Sequence, residues 1–154
     1  MPSFQFVADL LANRKFKKLS QTQNEALVDV LTAAKAIDGQ LRDVERRELL
    51  EIVDRLDWKS GTSVEGYIDE SVQRATDIEP VPGQLEDFFE EVGARLDEDW
   101  VRREAYYLAA RIVLADDEIV DNERLLLQHL VAGFDIDPEK QQIIMRKIRD
   151  EVEV

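Results

Sequence analysis

Two short acidic segments contain the residues whose types and spacing could do chemistry in this chain of 154 residues. Both fit the pattern D-x-x-[L/I]-x-D-x-E-R, once from Asp38 to Arg46 and once from Asp116 to Arg124. Carboxylate oxygens are the donors that Ca²⁺, Mg²⁺ and Mn²⁺ prefer, whereas Zn²⁺ favours nitrogen and sulfur. The candidate metal ligands are therefore Asp38, Asp43, Glu45, Asp116, Asp117, Asp121 and Glu123.

The same carboxylates also suit the N-termini of helices. Asp43 and Asp121 stand where a second helix should begin, and a carboxylate that caps free N–H groups there stabilises a helix by about 0.5–2 kcal/mol. Glu45 and Glu123 would follow in the first turn, where the helix dipole favours negative charge. Two interpretations stay open: acids that only cap helices, or caps that also bind a cation, Ca²⁺ or Mg²⁺, weakly.

The spacing excludes an EF-hand. That loop has glycine at its sixth position and a bidentate glutamate at its twelfth. Counted from Asp38, these positions hold Asp43 and Leu49; counted from Asp116, they hold Asp121 and Leu127. Any cation site here is of another kind, and we expect its affinity to be modest.

Few other reactive groups are available. The chain has no cysteine and one histidine, His129, which we expect on the surface. Disulfides, thiol nucleophiles and cysteine- or histidine-rich zinc sites are thereby excluded, and a lone histidine without a placed partner is a poor base. We predict a protein that is not an enzyme; the remaining enzymatic alternative is a hydrolase that uses carboxylates on paired metals.

Charge narrows the choice of partner. The 34 acids and 20 bases give a formal net charge of −14, and such a surface repels a phosphate backbone, so we expect no nucleic acid partner. No apolar run approaches the roughly 18–20 residues of a membrane span, and the N-terminus lacks the apolar core of a signal peptide. We expect a cytoplasmic, soluble monomer.

Residues 1–20 differ from the rest, with four bases and one acid. An amphipathic stretch from Phe4 to about Leu11 precedes the basic run at Arg14, Lys15, Lys17 and Lys18. Such a segment can attach weakly to an anionic membrane or a membrane protein. The expectation that we favour is that it folds back on the acidic body.

An internal repeat positions the acidic segments. Residues 25–58 and 103–136 align without a gap, and apolar residues coincide along both copies, as Leu27 does with Ala105 and Leu49 with Leu127. Apolar steps of three and four predict two amphipathic helices in each copy, joined by the acidic turn.

The intervening and closing stretches also predict helices. Ser63 should cap one helix, an apolar stripe from Leu85 to Leu96 marks another, and Asp137-Pro138 suits the start of a closing helix. No stretch alternates at period two. We predict an all-α fold of about seven or eight helices, with residues 21–154 as one domain behind the segment 1–20. The larger aromatic residues expected in the core are Trp58, Trp100, Tyr106 and Tyr107, an exposed patch near Tyr106 being the alternative.

The turn A-x-D-G-x-[L/I]-x-x-x-E-[R/K] runs from Ala36 to Arg46 and recurs at Leu114-Ala115-Asp116-Asp117 with Glu123-Arg124. It resembles the tellurite-resistance TerB family, and the resemblance covers nearly the whole chain. Asp117 departs from the pattern, since the family usually has glycine there.

The resemblance implies an all-helical module of stress and metal-resistance systems that binds divalent metal through its acidic turns and acts with protein partners. The expected function is that of a non-enzymatic scaffold in a stress or tellurite-resistance response. The alternative is a metal-free protein–protein adaptor, in which the acidic turns are only helix caps.

Overall fold

Seven α-helices occupy the part of the chain that the computed structural model describes, namely residues 18–36, 43–53, 58, 63–77, 82–114 and 121–152. These ranges contain no strand, so the predicted all-α fold is confirmed for them. None of the helices in them is both long and apolar enough to cross a membrane. The helices are α1 (Gln21–Ala36), α2 (Asp43–Val53), α3 (Val64–Asp77), α4 (Pro82–Leu96), α5 (Asp99–Leu114), α6 (Asp121–Gly133) and α7 (Pro138–Val152).

The helix bounds follow the repeat. When the alignment of the two copies is extended to the helix ends, α5 begins and ends at the positions equivalent to the ends of α1. Helix α6 likewise begins at Asp121, the equivalent of Asp43 at the start of α2. The two predicted helix pairs are thus α1–α2 and α5–α6. The amphipathic stretch expected near the N-terminus lies outside the described residues.

Helix α1 lies at the centre of the bundle, where it packs against α2, α3, α4 and α5. A helix surrounded in this way must be apolar on nearly every side, and Leu27, Val30 and Leu31 are fully buried. In α5, Tyr106 and Tyr107 are 1% and 5% exposed. Their predicted place in the core is therefore confirmed, and the exposed patch near Tyr106 is not formed.

Two glycines allow α4 and α6 to pack closely. A Cβ atom built on Gly93 would lie 2.7 Å from the carbonyl oxygen of Gly133, and one on Gly133 would lie 2.7 Å from the carbonyl carbon of Phe89. Next to this contact, the rings of Phe89 and Phe134 meet edge to face, with centroids 6.0 Å apart. The close approach of the two backbones leaves no room for a side chain at either glycine.

Polar side chains fix where several helices begin. Ser63 Oγ accepts a hydrogen bond from the N–H of Gly66 at 3.1 Å, so the predicted cap of α3 is confirmed. At α7, the Asp137 carboxylate accepts from the N–H of Glu139 at 2.8 Å, as Asp137-Pro138 predicted. Helix α4 begins at Pro82, three residues before the predicted apolar stripe, and proline is well suited to the first helical position.

Candidate functional site

The predicted metal ligands lie only partly within the described residues. Asp38, Asp116 and Asp117 belong to residues 37–42 and 115–120, which are outside them. Asp43 and Asp121 are the first residues of α2 and α6, where the helix dipole favours an acid, and the Asp43 side chain is exposed. The predicted ligands whose helical backbone, but not side chain, is described are Glu45, Asp121 and Glu123.

Among the described residues, no three histidine, aspartate or glutamate side chains lie close enough together to hold a metal ion. The cation site at the acidic turns therefore stays a prediction.

The most connected polar centre lies instead in the middle of α1. The Asp29 side chain is 1% exposed. Its Oδ1 accepts hydrogen bonds from Ser71 Oγ and Arg74 Nη2, both at 2.7 Å. Its Oδ2 accepts from the Tyr67 hydroxyl at 3.1 Å and from Arg95 Nη2 at 2.5 Å. One carboxylate thus joins α1 to both α3 and α4.

Helical spacing brings these donors together. Tyr67, Ser71 and Arg74 follow one another at steps of four and three, so they share one face of α3. Arg95 reaches Asp29 from the last turn of α4, and its Nε lies 2.7 Å from a carboxylate oxygen of Glu91 one turn earlier. The guanidinium of Arg95 is therefore held between the carboxylates of Asp29 and Glu91.

The electrostatics hold Tyr67, Arg74 and Arg95 in their ordinary charge states. Burial alone would lower the pKa of Arg95, but hydrogen bonding and charge attraction from Asp29 outweigh it and the pKa is raised. Arg74 follows the same pattern. Burial, reinforced by the Asp29 charge, raises the pKa of Tyr67 to about 12. Tyr67 stays neutral and the two arginines stay cationic at neutral pH.

This centre is built to hold helices and not to transfer protons. Each oxygen of Asp29 already accepts two hydrogen bonds, so its acceptor sites are filled. A general base must reach the proton that it removes, whereas Asp29 is enclosed by its own donors. Ser71 donates to this carboxylate but is itself buried, so its hydroxyl does not face a substrate.

The sequence contains a sign of the buried acid of this centre, but not of its partners. Asp29 interrupts the apolar run from Ala26 to Ala34, and a carboxylate that is buried there needs hydrogen-bonding partners. The partners could not be identified from the sequence, because Arg74 and Arg95 lie 45 and 66 residues further along the chain.

A second polar contact ties the start of α1 to the corner between α4 and α5. Gln23 Nε2 donates to the carbonyl oxygen of Leu96 at 2.8 Å and to Glu98 Oε2 at 2.9 Å. The other end of the same amide belongs to a capping box, since Gln23 Oε1 accepts from the N–H of Ser20 at 2.9 Å and Ser20 Oγ accepts from the N–H of Gln23 at 3.1 Å. The Gln23 side chain therefore caps the start of α1 and also binds the carbonyl group at the end of α4.

The arginine of the first acidic motif has a structural partner. Arg46 forms an ion pair with Asp69 of α3, a hydrogen bond that raises the pKa of Arg46 and lowers the pKa of Asp69. The pair joins α2 to α3.

His129, half-exposed on α6, lies near the surface as expected.

The outer side of α4 is strongly acidic. We call its exposed residues the acidic face, and among the described residues Glu86, Asp87 and Glu90 have no ion-pair partner. The opposite side of the helix is the predicted apolar stripe, buried from Leu85 to Leu96. The members of the acidic face are Glu86, Asp87, Glu90 and Glu91, followed at the α4–α5 corner by Asp97, Glu98 and Asp99.

Comparison of the chain with protein-family models, curated proteins and solved structures finds no match. The likeness to TerB accordingly rests on the motif residues alone.

Proposed function

We propose that this protein is a non-enzymatic, TerB-like helical module that binds a divalent cation weakly through its acidic turns and acts as a scaffold for a protein partner in a stress or metal-resistance response. The observation that supports it is the recurrence of the helix pair. Helices α2 and α6 begin at equivalent positions of the two copies, Asp43 and Asp121, each after an acidic turn of the same pattern.

The cation would act by neutralising charge. With a net charge of −14, the chain repels itself, and carboxylates grouped at two helix starts add to that repulsion. Ca²⁺ or Mg²⁺ held by the paired acidic turns would relieve it and fix the relative position of the two halves of the repeat. Because a ligand that binds only the folded state stabilises it, cation binding and folding stability are coupled.

Calorimetric titration with Ca²⁺ and with Mg²⁺ at physiological salt tests this proposal. Wild type is compared with Asp38→Asn/Asp116→Asn, which removes one charge from each turn. The charge-matched control is Glu86→Gln/Glu90→Gln on the acidic face of α4. We expect saturable binding by wild type and control and its loss in the turn variant, with the helical circular dichroism unchanged in all three. Absence of saturable heat from wild type up to several millimolar cation would refute cation binding.

The acidic face of α4 favours a second candidate, the metal-free adaptor. Its unpaired carboxylates stand on a helix whose other side is anchored in the core, so they form a rigid anionic surface. Complementary charge gives specificity and speeds association. The partner would then be a basic protein segment, and the acidic turns would serve only as caps.

The same two variants separate the candidates. Fluorescence anisotropy with a labelled lysine-rich peptide, in the presence of a chelator, should detect binding that the α4 variant weakens and the turn variant keeps. Equal weakening in both variants would indicate attraction by net charge alone and would exclude an adaptor surface on α4.

We further propose a cytoplasmic location. For residues 1–20, the alternative to folding back on the acidic body is contact with a membrane. Their basic run would support contact with an anionic membrane or a membrane protein. Sedimentation with anionic vesicles, compared with neutral ones, separates the two roles. If the segment folds back on the acidic body, as we favour, wild type should not sediment more with anionic vesicles than with neutral ones. Sedimentation with anionic vesicles that is lost when Lys15, Lys17 and Lys18 are replaced by glutamine would instead support membrane contact.

A further inference from the structure

A cleft of about 470 Å³ runs along one side of α7. Its described lining comes from α7 alone and is mostly polar, with a proline at one end and one methionine in the middle. It is lined by Pro138, Gln141, Gln142, Met145, Arg146 and Arg149.

The charged side chains in the described lining of this cleft are both arginines. Arg146 and Arg149 are three residues apart, so their guanidinium groups are neighbours on one helix face. Both side chains are exposed, and neither forms an ion pair with another described residue. Helix α7 also carries the acids Glu139 and Asp150, but neither is among the described residues that line the cleft. A chain with 34 acids and 20 bases thus leaves two adjacent arginines along this cleft without an ion-pair partner among the described residues.

The rest of the described lining is uncharged. Pro138 is the first residue of α7, and the Asp137 carboxylate already caps this helix start by accepting a hydrogen bond from the N–H of Glu139, so the two guanidinium groups are the part of the lining that attracts an anion. Gln142 adds a neutral amide donor beside the two guanidinium groups.

We propose that this cleft binds the phosphate group of a small phosphorylated molecule. Guanidinium groups bind phosphate oxygens through two parallel hydrogen bonds, and two of them match the charge of about −1.5 to −2 that a phosphate monoester carries at neutral pH. The cleft is larger than a phosphate group, and its remaining wall includes Met145. The organic part of the ligand lies against that side chain, so the site takes a phosphate monoester in preference to free phosphate.

The net charge of the protein does not oppose this local site. At physiological ionic strength charges are screened over about 8 Å, so the two guanidinium groups dominate inside the cleft. The acids of the rest of the chain slow the approach of an anion without removing its contacts. The site is also independent of the cation and partner proposals, because it shares no residue with the acidic turns or with the acidic face of α4.

Amide NMR titrations at constant ionic strength test the proposal, with inorganic phosphate and phenyl phosphate as probes. We expect saturable shifts confined to α7 and its surroundings, and tighter binding of phenyl phosphate. Replacing both guanidinium groups, as Arg146→Gln/Arg149→Gln, should weaken binding by about tenfold or more, since hydrogen bonds to charged groups are the strong ones.

The matched control is Arg47→Gln/Arg124→Gln. It removes two exposed arginines that have no ion pair with another described residue and lie outside the cleft, so the net charge changes equally. The control should bind phenyl phosphate as wild type does. Equal loss in both variants, or no saturable shift up to several millimolar probe, would overturn the site. Equal affinity for the two probes would overturn the preference for a monoester.

Discussion

The carboxylate of Asp29 in α1 and the guanidinium of Arg95 in α4 lie 2.5 Å apart in the interior, although 66 residues separate them in the chain. Removing two charges from water is costly, so such a pair gives little net stability over an apolar contact. It does make one arrangement of α1 and α4 strongly preferred, because any other would leave a buried charge without its partner. The pair therefore specifies how the central helix sits against α4.

Replacing Asp29 with alanine should destabilise the protein strongly. The substitution leaves Arg95 and Arg74 without their shared acceptor and creates a cavity in α1. Removal of one partner from a buried ion pair lowers the free energy of unfolding by roughly 3–5 kcal/mol. Urea unfolding followed by circular dichroism measures the change. Asp69→Ala, which breaks an exposed ion pair with Arg46, is the control and should have a small effect; similar losses in both would show that the Asp29 centre has no special role.

Tyr67 should make stability fall at alkaline pH. Its pKa is about 12 in the folded protein and 10.0 in an unfolded chain, so the neutral hydroxyl is favoured by folding. This contribution is complete below about pH 10 and is lost as the pH rises towards about 12, because the unfolded chain releases the proton first.

Ultraviolet absorbance of tyrosinate gives the corresponding titration. The component that Tyr67→Phe removes should have its midpoint near pH 12 in the folded protein, whereas the urea-unfolded protein should titrate near its ordinary value. A midpoint near 10 for that component would contradict the enclosed, hydrogen-bonded position of the hydroxyl beside Asp29.

Local patterns predicted the helices well because the forces that form them act over three or four residues. Apolar spacing identified the buried stripe of α4, and Ser63 and Asp137 identified helix starts from the chemistry of a single cap. The alignment of the two copies placed α5 and α6 from α1 and α2. These inferences needed no knowledge of which helices touch.

Features that depend on contacts between distant helices could not be predicted from the sequence. Asp29 is an acid in a mostly apolar stretch of the sequence, which is a signal that we did not use, and nothing in the pattern selects Arg95 from among the other arginines. Gly93 resembled any helical glycine, although its lack of a side chain is required by the backbone of α6. For the acidic turns, the sequence predicts which carboxylates could be metal ligands. Whether they bind a cation depends on their geometry, which the sequence does not give.

Adding one methyl group at Gly93 should separate α4 from α6. The new Cβ of Gly93→Ala would lie 2.7 Å from the carbonyl oxygen of Gly133, so a helix must shift, at a cost of roughly 1–3 kcal/mol. Gly83→Ala, in the first turn of the same helix, is the matched control, since no atom lies within 4 Å of its Cβ. There the higher helix propensity of alanine should raise stability by up to about 1 kcal/mol. Opposite signs in urea unfolding are expected; a stabilised Gly93→Ala variant would show that the helices are not in close contact.

Replacing Gln23 with glutamate should destabilise the protein in a pH-dependent way. The change replaces the amide nitrogen that donates to the Leu96 carbonyl and to Glu98 by an oxygen, so that acceptor faces acceptor in a buried position. Leaving a buried carbonyl unsatisfied costs roughly 1–3 kcal/mol, and a buried carboxylate beside Glu98 adds repulsion. The introduced carboxyl group should therefore have a pKa raised above its ordinary value, so protonation favours the folded state. The loss of stability at about pH 7 should then shrink towards about pH 4.

Gln73→Glu is the matched control. The Gln73 side chain is exposed and donates to Asp77 one turn away, so its replacement should change stability by a few tenths of a kcal/mol. Urea unfolding of both variants at the two pH values decides the matter, since a pH-independent loss at Gln23 would mean that the amide does not bridge α1 to the α4–α5 corner.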